Sequence, residues 1–183
     1  MKNKIRKIHS LLFCFLSLTA IQCSKDKLPP ETQDGNNTIG CLVNGQVFKP
    51  KGSFLSSGYQ CYYQQLFAGD SGLVFLVSGA DLSNSSNIKG ISIGISGVKI
   101  TQGLQIPLTD GTQIGNGRGQ YIGGNVQYEY IYYTTKILTG MMYIKKFDEI
   151  NNIAAGTFWF TAVNSFGDTA RVTEGRFDVK FTR

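Results

Sequence analysis

Cys23 carries the most readable chemistry in this 183-residue chain, because of what precedes it. Lys2, Lys4, Arg6 and Lys7 lead into a mostly apolar run over 11–21, and only Gln22 separates that run from the cysteine. A run of this length falls short of a comfortable membrane span and has the form of an export-signal core. A thiol just behind such a core is placed for acylation once the leader is cut. The pattern predicts a signal peptide over 1–22, a palmitate-type lipid on Cys23 and a domain tethered to a membrane outside the cytoplasm.

Cys14 lies within the leader, which leaves Cys41 and Cys61 as the pair able to bridge in an oxidising compartment. A bridge would close a loop of about 21 residues and contribute roughly 3 kcal/mol by loop-entropy reasoning. It requires strand register to bring the two alpha carbons within about 7 Å, and the other reading is two buried reduced thiols.

The single histidine, His9, sits in the leader. Ser-His-acid and Cys-His catalysis, histidine zinc sites and histidine pH switching are therefore excluded from the rest of the chain. Carboxylate chemistry remains open, since a glycosidase needs only two acids at a set separation in space. Asp70, Asp81, Asp110 and Asp168 all fall in turn-like stretches, where their bonding to nearby backbone already accounts for them. The run 81–87 lacks the central glycine and final glutamate of a calcium loop, so neither a metal nor a cofactor is expected.

Two groups are candidates for ligand contact. The glycine-rich run 115–119 resembles a phosphate-cradling loop only in its glycines, lacking the Gly-Lys-Ser/Thr ending, and Arg118 is its one cation. Alternation places Tyr128, Tyr130 and Tyr132 on one face of a strand, where they could stack on a sugar or line a protein contact. A core whose hydroxyls reach the rim explains the same tyrosines.

Four of the eighteen basic residues and none of the twelve acidic ones lie in the leader, which lowers the net charge of +6 to about +2 for the remainder. Such a balance gives no electrostatic footing for a nucleic-acid partner.

The elements that must position these residues read as strands. Residues 23–37 are polar with Pro29, Pro30 and Gly35, predicting a flexible tether, and 38–183 suit a single domain. Ile91, Ile93 and Ile95 alternate with small residues, and Phe177, Val179 and Phe181 alternate with charged ones. Asn44-Gly45 between apolar residues predicts a tight hairpin turn after Val43. Loops are expected over 79–89 and 110–125, one short helical turn over 148–155, and strand starts at Gly156 and Gly175. Short strands separated by turns predict an all-β, antiparallel β-sandwich of about nine or ten strands, with a small closed β-barrel as the runner-up.

The leader box Ala20-Ile21-Gln22-Cys23 resembles a bacterial lipoprotein signal, although Gln22 stands where a small residue is usual. Ser24 and Lys25 supply no retention aspartate, so the resemblance implies an outer membrane destination, on its periplasmic or cell-surface face. The domain resembles the DUF6252 family of uncharacterised Bacteroidota lipoproteins. The likeness lies in 31–35 and 37–48, around Gly40-Cys41-Leu42-Val43-Asn44-Gly45, and in 155–162 and 173–179, around Phe158-Trp159-Phe160 and Glu174-Gly175-Arg176-Phe177. It spans both ends of the domain and brings no catalytic residues with it.

These readings converge on a non-enzymatic envelope lipoprotein that binds a glycan, peptide or small apolar ligand, or joins a surface assembly through an envelope protein. The alternative is a carboxylate-dependent hydrolase anchored in the outer membrane. An exposed aromatic strip would favour the first, and two acids facing one pocket, one of them desolvated and less acidic, would favour the second.

Overall fold

Period-two alternation builds this protein, and burial follows it residue by residue: Ile91, Ile93 and Ile95 are buried, while Ser92 and Gly94 between them are partly open. The computed structural model describes residues 27–52, 58–66, 68–84, 86–124 and 130–183. Among them are eleven strands: β1 (Thr38–Val43), β2 (Gln46–Phe48), β3 (Tyr59–Gln65), β4 (Leu73–Asp81), β5 (Lys89–Ser96), β6 (Gln105–Thr109), β7 (Gly117–Gly123), β8 (Ile131–Tyr133), β9 (Gly140–Asp148), β10 (Ile153–Val163) and β11 (Thr169–Lys180). The fold is all-β, as the alternation predicts.

The strands form one sheet in the order β2-β1-β11-β10-β9-β6-β7-β5-β4-β3, with β8 bonded to both β10 and β7. That double bonding closes β6, β7, β8, β10 and β9 into a five-stranded barrel, and the other six strands are bonded outside it. The predicted sandwich and its barrel runner-up are thus combined in one rolled sheet. β6 and β7 run parallel, and the other paired strands are antiparallel. Buried Thr134 pins the closure: its hydroxyl accepts the Gly119 N–H at 2.9 Å and donates to the Thr109 carbonyl. At the far edge, β3 meets the chain end, where Tyr63 N–H donates to Thr182 O at 2.8 Å and Thr182 N–H to Cys61 O at 3.0 Å. Rolling the sheet this way leaves fewer backbone groups exposed to stray pairing.

The interior is filled by the inward row of each strand, including Phe75, Ile93, Leu108, Met142, Phe160 and Val179. Each such side chain contributes roughly 1.5–3 kcal/mol when buried. One end is closed by aromatic rings, with Phe147 stacked on Phe181 at 5.0 Å and Tyr63 edge-on to Phe147 at 5.1 Å.

The hairpin at Asn44-Gly45 forms as predicted, with φ of 49° and 79°, joining β1 to β2. Four expectations are corrected. The expected loop over 110–125 contains β7, whose glycines conceal it: Gly119 lies under the Phe160 ring, 2.8 Å from where a Cβ would stand, so the strand has no alternating side chains there to read. The expected helical turn over 148–155 is a β-turn region. The Asp148 carboxylate accepts the N–H groups of Ile150 at 3.0 Å and Asn151 at 2.9 Å, bonds that could cap a helix but here reverse the chain into β10. Gly156 and Gly175 lie inside β10 and β11 instead of beginning them.

The fourth correction concerns the tether. Residues 32–36 lie on the outer face of the sheet, held by Asp178 of β11. We call this segment the strap. Cys41 and Cys61 are both buried and unbridged. No helix among the described residues is long and apolar enough to cross a membrane.

Candidate functional site

β10 sends Phe158 and Phe160 into the core, so the residue between them must face outward, and that residue is Trp159, the only tryptophan of the chain. It is 52% exposed. A ring that large on open surface gives up burial free energy, which singles it out for explanation. In register beside it stands Met141 of β9, and beyond that Pro107 of β6. The next row across the sheet is Arg176 of β11, Thr157 of β10 and Tyr143 of β9, with Tyr143 36% exposed. Trp159, Met141 and Tyr143 form an apolar strip on the outside of the sheet.

Both strands flanking β10 are bulged at this strip. On β11, Thr173 and Glu174 together oppose Trp159, and Glu174 takes φ 51°, a left-handed value unusual for a residue with a side chain. The pairing of β1 with β11 shifts register at the same place. On β9, Lys145 is the extra residue between the pairs Ala155–Lys146 and Gly156–Ile144. Each bulge aims a charge at the edge of the strip. Glu174 pairs with Arg176 at 3.6 Å, and Lys145 pairs with Glu31, which arrives just before the strap.

The result is an open depression of about 270 Å³ lined by Met141, Tyr143, Trp159, Glu31, Glu174 and Arg176. Gly175 lies in its floor because the Phe158 ring packs where a Cβ would project, at 2.5 Å.

The strap that positions this wall depends on one carboxylate. Asp178 is 1% exposed and accepts bonds from the Thr32 hydroxyl at 2.6 Å and from the N–H groups of Gly35 at 2.6 Å, Asp34 at 3.1 Å and Asn36 at 3.3 Å. Burial alone would make this acid weaker, but the four donors outweigh it and hold the group below the usual aspartate range. Lys146 adds a bond from its ammonium to Gln33 O at 2.9 Å, and Asn37 accepts the Lys180 N–H at 2.9 Å.

The residues singled out from sequence are placed elsewhere. Cys23 and Tyr128 lie outside the described residues. Tyr130 is exposed beside Gly124, whereas Tyr132 turns against Tyr121 at the margin of the core, ring centres 5.7 Å apart. Arg118 donates from Nε to the Asp110 carbonyl at 2.9 Å and lies 5.4 Å from the Tyr133 ring. Trp159 was hidden by its neighbours, since Phe-Trp-Phe reads as core; the signal was that alternation cannot bury all three.

Other carboxylates are engaged locally. Asp81 accepts the Ser83 N–H at 3.0 Å and Asp110 the Thr112 N–H at 3.2 Å. The Ser83 hydroxyl lowers the pKa of Asp81, and the Asn151 amide does the same for Asp148. For Asp110, desolvation is outweighed by the bonds from Thr112, and the group is again more acidic than usual. Among the described residues no three metal-ligating side chains come together. Burial pushes the thiols of Cys41 and Cys61 up to about 12.

No family model, curated protein or solved structure matches this chain. The arrangement on the outer face of β9, β10 and β11 is what bears on function.

Proposed function

We propose that this protein is a non-enzymatic lipoprotein of the cell envelope, of the DUF6252 kind, anchored in the outer membrane by a lipid on Cys23. Its domain serves as a ligand-binding or surface-assembly module. The observation that carries the binding reading is the half-exposed Trp159 beside Tyr143 and Met141, on a sheet face where burial would be the stable arrangement. The leader pattern before Cys23 supports the anchor.

One observation favours the second reading, a carboxylate hydrolase: Glu31 and Glu174 face the same depression from separate segments. Each is tied to a cation, and the carboxyls with displaced acidity, at Asp81, Asp110, Asp148 and Asp178, all move towards the ionised form. A general acid needs the opposite displacement.

Growth with labelled palmitate tests the anchor. Wild-type protein should carry label and sediment with outer membranes, and Cys23→Ala should do neither. Equal labelling of the two would reject the anchor. Release of reducing ends from glycans by wild type, abolished in Glu31→Gln or Glu174→Gln, would select the hydrolase.

A further inference from the structure

We infer that the depression at Trp159 seats an uncharged pyranose ring of a glycan chain, an assignment that rests on the binding reading above. A sugar ring presents a flat C–H face and a rim of hydroxyls, and the site offers a partner for each. Trp159 supplies the flat apolar platform, extended by Met141 and Tyr143. Around it stand Arg176, which only donates, Glu31 and Glu174, which as carboxylates only accept, and the Tyr143 hydroxyl, which does both.

Charge selects among ligands. Both acids of the rim are paired with bases, Glu31 with Lys145 and Glu174 with Arg176, so the rim is electroneutral. A charged ligand would have to displace one of those pairs. A hydroxyl can use the lone pairs and N–H groups that each pair leaves over, gaining charge-assisted bonds without breaking any.

Position in the sheet selects against an extended peptide. Strand addition needs an open edge with unpaired backbone groups, but β10 is bonded to β9 on one side and β11 on the other along this stretch. Size points the same way. The depression, about 270 Å³, is below the ~300–1,000 Å³ of pockets that enclose a drug-sized ligand, and it is open. One ring fits while the chain continues across the surface.

The bulges give this assignment a structural reason. Glu174 holds a left-handed backbone that a glycine would hold more easily, and its carboxylate reaches the rim from there.

Because Trp159 is the only tryptophan, its emission reports on this site alone. The whole chain, purified in a detergent without a sugar headgroup, would be titrated with uncharged hexasaccharides of glucose, mannose, galactose and xylose. The expected result is a saturable emission change with at least one of them, matched by calorimetric heat. Trp159→Ala should weaken the calorimetric affinity by about tenfold or more, and Trp159→Phe should restore part of it. Arg176→Gln should weaken the calorimetric affinity several-fold. Circular dichroism of the three variants should overlay that of wild type, since neither position belongs to the buried core. Binding that is equal in wild type and Trp159→Ala would overturn the assignment, as would no response to any of these sugars at about 10 mM. A Trp159 response confined to sulfated or carboxylated polysaccharides, or to peptides, would overturn the uncharged glycan and leave the face as a binding surface.

Discussion

Asp178 accepts the N–H of Gly35 at 2.6 Å, across 143 residues of sequence. The bond joins the last strand of the sheet to the segment that leads back towards Cys23. It makes part of the expected tether into a piece of the domain, and it holds Glu31 close to Lys145 at the wall of the Trp159 depression.

Asp178→Asn keeps the shape of the side chain but removes the charge that four donors converge upon. A loss of about 1.5–3 kcal/mol in urea unfolding is expected, with faster amide exchange over 32–36. The folded carboxyl is more acidic than usual, so its contribution is complete above the unfolded value of about 3.9 and is lost as pH falls through the lower folded value. Wild type should lose stability in that acid window more steeply than Asp178→Asn. Identical acid profiles would show that the strap does not depend on this charge.

Glu174→Gly should raise stability by up to about 1 kcal/mol, because glycine takes φ 51° without a Cβ penalty. The same change removes a carboxylate from the rim and frees Arg176. A lower unfolding midpoint would mean that Glu174 serves the fold more than the site.

Gly175→Ala places a methyl against the Phe158 ring, whose nearest atom is 2.5 Å from that position. The core on the other side of Phe158 is filled, so the ring has little room to yield. A destabilisation of about 1–3 kcal/mol is expected, read as a lower denaturation midpoint with an unchanged slope.

In native protein Cys41 and Cys61 should react very slowly with a thiol reagent at pH 8, since both are buried and burial pushes their thiols up to about 12. Both should react at once in denaturant. Absence of reaction at these two residues in denaturant without reductant would reveal the disulfide that the sequence leaves as one of two readings. A raised thiol pKa stabilises the fold fully below the unfolded value of about 8.5, and this support is lost as pH rises towards the folded value. Unfolding midpoints should decline through that alkaline range, and less so in a Cys41→Ala, Cys61→Ala double variant.

The parts of the fold that announce themselves in sequence are those where side chains alternate. Ile91, Ile93 and Ile95 declare β5, and Asn44-Gly45 declares the first hairpin. β7 is silent because Gly117 and Gly119 give up their side chains to let neighbours approach. The tyrosine group was legible as aromatic surface, but its placement was not: Tyr132 turns to Tyr121, and the open strip forms around Trp159, Tyr143 and Met141. The bulges at Glu174 and Lys145 leave no local mark, since they appear only when a strand is compared with its partner.

By itself the sequence determined that this is a β protein with an apolar interior, because a period of two allows side chains to be sorted to two faces by solvent alone. With His9 as its only histidine, it also bounded the catalytic classes open to residues 10–183. Which strands are neighbours, that Cys41 and Cys61 are buried without a bridge, and that Trp159 is left half in water were decided by the tertiary structure. Those outcomes depend on register and closure, and they are set by contacts between residues far apart in the chain, as Asp178 and Gly35 are.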